Sequence, residues 1–180
     1  MPETFFEAIR SAGLAALRVQ LPRTPSLAGA VLPAAEAPRG VEGFTALHLA
    51  VDGGEVEVVR LLVSAGAELE ARNGEGRTAL HDSIEHGHRQ IQELLIDAGA
   101  EVDVCAAAIL GMEARLRELL DRDPGLATET STGLSPLGWA SYGNQTGTAA
   151  ELVARGARPD DGELLCAASV GHVEVGRLLI

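Results

Sequence analysis

The sequence predicts an all-α solenoid, a stack of helix–turn–helix pairs joined by short connections. The letters TALH occur at Thr45–His48 and again at Thr78–His81, 33 residues apart. Hydrophobic residues make up 46% of the chain but aromatic residues only 3%, so alanine and leucine must fill the core. Such a core suits closely packed helices better than a β-sandwich, which favours β-branched and aromatic residues. Small residues and leucines also recur in one frame along the chain.

The frame is measured from one position in each repeat, which we call the mark and expect between the two helices. The marks are Gly54, Gly87, Gly111, Asn144 and Gly171, separated by steps of 33, 24, 33 and 27 residues. A small residue stands four positions before each mark, where it lets helices approach closely: Ala50, Ser83, Ala107, Ala140 and Ala167. A leucine stands eight positions after each mark: Leu62, Leu95, Leu119, Leu152 and Leu179. Length changes therefore fall in the connector after the second helix, where an insertion costs little.

The frame divides one domain, 1–180, into successive repeats. The predicted bounds are 1–42 for an N-terminal capping-like repeat with a long loop, then 43–75, 76–101, 102–131 and 132–160, and 161–180 for an incomplete last repeat. In the first of these the mark falls at Ala12, which aligns TPSLA at Thr24–Ala28 with DPGLA at Asp123–Ala127. The position in the leucine column there is Gln20, a departure from the frame.

These motifs resemble the ankyrin-repeat family, whose period is 33 residues. The matching stretches are GFTALHLA at Gly43–Ala50, GRTALH at Gly76–His81, GLSPLGWA at Gly133–Ala140 and GHVEVGRLLI at Gly171–Ile180. The resemblance covers essentially the whole chain and implies a stack of helix pairs with β-hairpin-like fingers between them. It implies that Thr45, Thr78 and Ser135 cap first helices and that His48 and His81 form local hydrogen bonds.

The repeat at 102–131 departs from the family pattern. Cys105 replaces the histidine, no threonine precedes it, and the connector before the repeat is nine residues shorter than the 33-residue norm. A finger is therefore predicted to be missing there. Cys105 and Cys166 lie two repeats apart, which places them too far from each other for a disulfide, since that bond needs Cα atoms within about 4.4–6.8 Å.

The resemblance implies a non-enzymatic scaffold or regulator that binds a protein partner through the concave face and fingers of the stack. The candidate partner-binding residues are Phe44, Arg77, Glu85, His86, Ile109, Leu110, Leu134 and Tyr142. Ile109, Leu110, Leu134 and Tyr142 are apolar at positions where the family exposes its side chains, and exposed apolar clusters usually mark an interface. The sequence contains no nucleophile elbow, phosphate loop or dinucleotide fingerprint, so neither an enzyme nor a cofactor is expected.

Charge narrows the class of partner. The chain has 26 acidic and 14 basic residues, for a net charge of −12, and every basic residue is arginine, a bias typical of GC-rich bacterial genomes. This charge disfavours nucleic acid and anionic membrane surfaces as partners and favours a basic protein. The N-terminus lacks the basic region of a signal peptide, and no apolar run approaches about 18 residues, so we expect a cytoplasmic location. We expect a monomer, unless the incomplete last repeat associates with another chain.

A metal-binding protein or small metal-dependent enzyme is the alternative, using the cluster between His81 and His88. Asp82 and His86 are four residues apart, as are His81 and Glu85, so each pair lies on one helical face. However, His81 and His88 stand where the ankyrin pattern already has histidine. The repeat accounts for them without a metal, and we expect no metal site.

Overall fold

The structure, a computed structural model, describes residues 4–33, 43–130, 132–159, 167–168 and 171–180. The predicted loop after residue 33 and Cys166 lie outside these ranges. The described chain is helical, and its sheet-like pairing is one isolated antiparallel bridge between Val31 and Thr45. The chain forms two compact units, Met1–Glu101 and Val102–Ile180. None of the described helices is long and apolar enough to cross a membrane.

The first compact unit consists of helix pairs in two layers. Its helices are α1 (Phe5–Arg10), α2 (Leu14–Arg23), α3 (Ala46–Asp52), α4 (Val56–Ser64), α5 (Ala79–Glu85) and α6 (Arg89–Asp97), with a 3-10 helix at Pro25–Gly29. Within each repeat the two helices pack together, as α1 with α2, α3 with α4 and α5 with α6. The first helices α1, α3 and α5 pack in one layer, and the second helices α2, α4 and α6 in the other. The predicted stack of helix pairs is confirmed.

The second compact unit repeats this arrangement. It comprises α7 (Val104–Ile109), α8 (Glu113–Arg122), a 3-10 helix (Pro124–Thr128), α9 (Pro136–Tyr142), α10 (Thr146–Ala154) and α11 (Val173–Leu179). The first helices α7 and α9 contact each other, and the second helix α10 contacts both α8 and α11. The two 3-10 helices cover the TPSLA and DPGLA stretches that the sequence aligned.

Every mark has a left-handed backbone, which reverses the chain between the two helices of a repeat. The glycine marks Gly54 and Gly87 both have φ of 69°. The two marks that are not glycine, Ala12 and Asn144, have φ of 50° and 56°. Non-glycine residues adopt this conformation only uncommonly. Ala12 and Asn144 therefore share the backbone conformation of the glycine marks.

Both predicted core columns are buried, except at Leu179 in the last helix, which is half-buried. The small residues Ala50, Ser83, Ala107 and Ala140 are each 0% exposed. The leucines Leu62, Leu95 and Leu152 are also 0% exposed, and Leu119 is 5% exposed. Where the frame has Gln20, the neighbouring Leu17 and Leu21 are buried instead. Small side chains between helices and leucines between repeats therefore build the core, as their spacing indicated.

Polar side chains begin the first helices. Thr45 accepts a hydrogen bond from the His48 backbone N–H at 3.3 Å, and Ser135 accepts one from that of Gly138 at 2.9 Å. Asp103 does the same for α7, accepting from Ala106 N–H at 2.9 Å, so an aspartate caps the repeat that lacks a threonine. Six residues, 98–103, connect α6 to α7, whereas residues 65–78 connect α4 to α5. The shorter connector leaves no room for a comparable finger.

Candidate protein-binding surface

The finger before α5 is closed by Asn73. Its side-chain Oδ1 accepts hydrogen bonds from the backbone N–H groups of Glu75 and Arg77, both at 3.0 Å. Its backbone N–H donates to the Arg77 carbonyl oxygen at 2.9 Å, which completes a hairpin-like turn. Asn73 itself is only 6% exposed. One buried amide thus fixes the shape of the finger tip.

Arg77 is held between three carboxylates. Its Nε donates to Asp82 Oδ1 at 2.9 Å, and its two terminal nitrogens lie 3.2 Å from Glu85 Oε2 and 2.5 Å from Glu75 Oε2. Asp82 is 1% exposed and also accepts from the Asn73 side-chain amide at 3.2 Å. Because one guanidinium serves three carboxylates, this group carries net negative charge. Arg77 is therefore committed within the protein, while Glu75 and Glu85 face solvent.

Arg77 and Asp82 occupy two positions, five residues apart, that are apolar in other repeats. The equivalent pairs are Phe44 with Leu49 and Leu134 with Trp139. Phe44 is 5% exposed, and its ring centroid lies 5.5 Å from that of His48. These positions join each finger to the start of its own helix. The expectation that Phe44 is a surface contact is corrected, because its ring is buried against α3.

His48 links two repeats of the first compact unit. Its Nδ1 accepts a hydrogen bond from the Thr45 N–H at 3.2 Å, and its Nε2 donates to the Arg77 carbonyl oxygen at 3.0 Å. Burial is the main cause that lowers the pKa of His48 below its usual value. Accepting at one nitrogen and donating from the other requires the neutral ring, so the geometry agrees with the direction of the shift. The local bond was predicted, but the bond to the next finger was not.

The remaining histidines of this unit make contacts of different kinds. His81 Nδ1 accepts from the Thr78 N–H at 3.2 Å, in the same local arrangement as His48. His86 donates from Nδ1 to the Asp82 carbonyl oxygen at 2.7 Å, while its Nε2 lies 3.5 Å from Asp52 Oδ1. The His86 ring stacks on His88 with centroids 5.6 Å apart. Among the residues that the structure describes, no group of three histidine, cysteine or acidic side chains converges as a metal site.

The second compact unit carries apolar side chains at the ends of its first helices. Tyr142 is 36% exposed, and its ring meets that of Trp139 edge-on, with centroids 6.5 Å apart. Leu110 and Leu134 are half-buried. Ile109 is only 7% exposed, so its assignment to the surface is corrected. The apolar positions left at the surface are Leu110, Leu134 and Tyr142.

Gly143 explains the burial of Ile109. A side chain at Gly143 would start 2.7 Å from both the carbonyl oxygen and the Cγ1 of Ile109. The absence of that side chain lets the end of α9 approach the end of α7 closely. Cys105 lies in the same core, where its sulfur accepts a hydrogen bond from the Thr132 hydroxyl at 3.3 Å.

Comparisons with known proteins agree with this geometry. A family model described as ankyrin repeats (three copies) matches residues 14–106, just over half of the 180-residue chain. The chain belongs to the ankyrin-repeat family. The crystal structure of the human ASB11 ankyrin repeat domain superposes with a TM-score of 0.52 and 22% sequence identity, covering 97% of this chain and 80% of that one. At this identity the likeness concerns the fold alone. No curated protein sequence matches the chain.

The ankyrin fold brings together only part of the predicted surface. Arg77 and Glu85 lie together, with Glu75 beside them. His86 instead lies near Asp52 and stacks on His88. Asn73 and Glu75 were not predicted as parts of this site. The sequence signal that could have revealed them is the arginine and aspartate at positions where the preceding repeat has Phe44 and Leu49.

Proposed function

We propose that this ankyrin chain is a non-enzymatic scaffold that binds a protein partner through its fingers and the ends of its first helices. Proteins of this family bind other proteins in general, and stacked repeats use extended surfaces for this purpose. The observation that carries the proposal is Tyr142, an aromatic side chain 36% exposed at the end of α9. Aromatic residues are enriched among those that dominate binding energy at interfaces.

The chemistry of the surface indicates a partner with apolar and basic groups. Leu110, Leu134 and Tyr142 supply apolar contacts in the second compact unit. In the first, Glu75 and Glu85 have side chains 53% and 36% exposed. Together with the net charge of −12, these carboxylates favour a basic protein as the partner. We propose that the scaffold is a monomer and that the two proteins meet in the cytoplasm.

Affinity capture from a lysate of the native host, read by mass spectrometry, tests this proposal. We expect the double variant Leu110→Asp with Tyr142→Ala to lose the partner that the parent captures, while its melting temperature stays within a few degrees. The matched control is Val31→Ala with Val173→Asp, because both side chains are more than half exposed and lie elsewhere. Its capture should equal that of the parent.

Two outcomes would reject this surface. If the double variant still captured the partner, the interface would lie elsewhere on the protein. If the double variant unfolded, Leu110 or Tyr142 would belong to the core. The metal-dependent alternative is tested separately, by metal analysis of the purified protein and by melting with a chelator. Bound metal together with a lower melting temperature in the chelator would favour a metal protein over a scaffold.

A further inference from the structure

An apolar groove lies between the last turns of α2 and α4 in the first compact unit. Its volume is about 430 Å³. The apolar lining consists of Leu21, Pro22, Pro25, Leu61 and Ala65. A volume of this size is sufficient for a small ligand or a few side chains of a peptide. The groove belongs to the layer of second helices, whereas the proposed partner surface uses fingers and first helices.

The walls of the groove offer contact surface rather than unsatisfied polar groups. Pro22 and Pro25 are exposed, and Leu61 and Ala65 are half-buried. Ser64 also lines the groove, but its hydroxyl already donates to the carbonyl oxygen of Arg60 at 2.8 Å. Burying these walls beneath an apolar ligand is therefore favourable, since no polar group at Ser64 loses its partner.

The charge beside the groove is positive, in contrast to the chain as a whole. Of the described residues that line the groove, Arg18 is the one with a charged side chain. Arg18 and the exposed Arg23, which follows Pro22, form no ion pair with any other residue that the structure describes. The carboxylate one turn before Leu61, that of Glu57, already lies 3.5 Å from Arg60 Nε. One guanidinium group without an ion pair among the described residues, that of Arg18, thus lines an apolar groove in a chain of net charge −12, and Arg23 follows the groove residue Pro22 in the sequence.

We propose that this groove docks an acidic amphipathic helix from a partner protein. Leucine-like side chains spaced three or four residues apart fill the space between α2 and α4, as in other helix-in-groove complexes. Aspartate or glutamate side chains on the same helix meet Arg18 and Arg23, whose planar guanidinium groups bind carboxylates in bidentate geometry. The interaction is additional to the proposed partner surface and selects a segment of opposite charge.

A synthetic helical peptide of about 14 residues provides the probe. It carries leucine at positions three or four apart and glutamate on the flanks, and its control has lysine in place of every glutamate. We expect the glutamate peptide to shift the methyl NMR signals of Leu61 and Ala65 saturably below about 1 mM. The lysine peptide should bind at least about tenfold more weakly, because it places cations beside Arg18 and Arg23. Decanoate serves as a second probe, for small amphiphilic carboxylates.

The variant Arg18→Glu with Arg23→Glu should reverse the preference between the two peptides. Should it unfold, Arg18→Gln with Arg23→Gln is used instead, and the glutamate peptide should then lose its advantage over the lysine peptide. Four results would overturn the proposal: equal binding of both peptides, no shift at about 1 mM, shifts centred on Tyr142 rather than Leu61, or binding of decanoate alone. Capture of the scaffold's partner should be unaffected by these arginine variants, so the two proposals fail independently.

Discussion

At the residue scale, one repeat has an ion pair at two positions where the repeat before it has a pair of apolar side chains. Arg77 and Asp82 stand where the preceding repeat has Phe44 and Leu49. Asp82 is 1% exposed, so its charge depends on Arg77 and Asn73 for compensation. Breaking a buried ion pair is far more destabilising than replacing both partners by apolar groups of similar size.

We therefore predict opposite results for single and double replacements. Arg77→Phe alone should lower the free energy of unfolding by about 3 kcal/mol, because the Asp82 carboxylate stays buried without its cation. Arg77→Phe with Asp82→Leu transplants the apolar pair and should be within about 1 kcal/mol of the parent. Urea denaturation measures both. A double variant as unstable as the single one would show that this finger requires the ion pair.

Acid should weaken the protein through His48. Burial lowers the pKa of His48 in the folded state below 6.5, so the unfolded state binds the proton first as the pH falls. Its stabilising contribution is complete above about pH 6.5 and is lost as the pH falls towards the lower folded value, by at most about 1.4 kcal/mol per pH unit. Urea denaturation at about pH 7.5 and about pH 5.5 should show that the free energy of unfolding falls less with acid in His48→Gln than in the parent. Equal losses would contradict this prediction.

At the scale of the secondary-structure elements, the end of α9 approaches the end of α7 closely. Gly53 and Gly143 occupy the same position, one residue before the mark, and have φ of −74° and −81°. Neither backbone requires glycine. A side chain at Gly143 would start 2.7 Å from the Ile109 carbonyl oxygen, whereas one at Gly53 would start 3.4 Å from the Glu55 Cγ, an ordinary contact.

The same substitution should therefore have different effects at these two glycines. Gly143→Ala should destabilise the protein by about 1–3 kcal/mol, because α7 and α9 must separate. Gly53→Ala should be neutral or stabilising by about 0.4–1 kcal/mol, since it only restricts the unfolded chain. Thermal melting of the two variants gives the comparison. If Gly143→Ala melted like Gly53→Ala, the close approach of α9 to Ile109 would not exist in solution.

At the scale of the whole molecule, the chain divides into two compact units, and each unit has its own core. The first, Met1–Glu101, contains three complete helix pairs. Because repeats contact mainly their neighbours, stability in such proteins is approximately a sum of local terms. A fragment that ends between repeats should thus retain its structure, whereas one that divides a helix pair should not.

We predict that a fragment of residues 1–101 is helical by circular dichroism and melts cooperatively. The matched control is a fragment of residues 1–87, which keeps α5 but lacks α6 and so exposes apolar surface of α5. It should melt at a lower temperature. A fragment 1–101 without a cooperative transition would show that the first compact unit depends on the rest of the chain.

The sequence by itself determined the repeat frame and the local structure within it. The buried small residues and, except at Leu179, the buried leucines were predicted from spacing, and the caps Thr45 and Ser135 from the family resemblance. These features depend on backbone conformation and on contacts at fixed positions in each repeat. A single sequence carries that information directly.

Only the tertiary structure decided which side chains remain at the surface. Phe44 and Ile109 are buried although the repeat position predicted exposure, and Arg77 is committed to the carboxylates around it. The groove beside Arg18 combines side chains from two helices about 40 residues apart in the chain. Exposure depends on how closely a neighbouring element approaches, as Gly143 approaches Ile109, and that distance is set by packing in three dimensions rather than by the spacing of residue types.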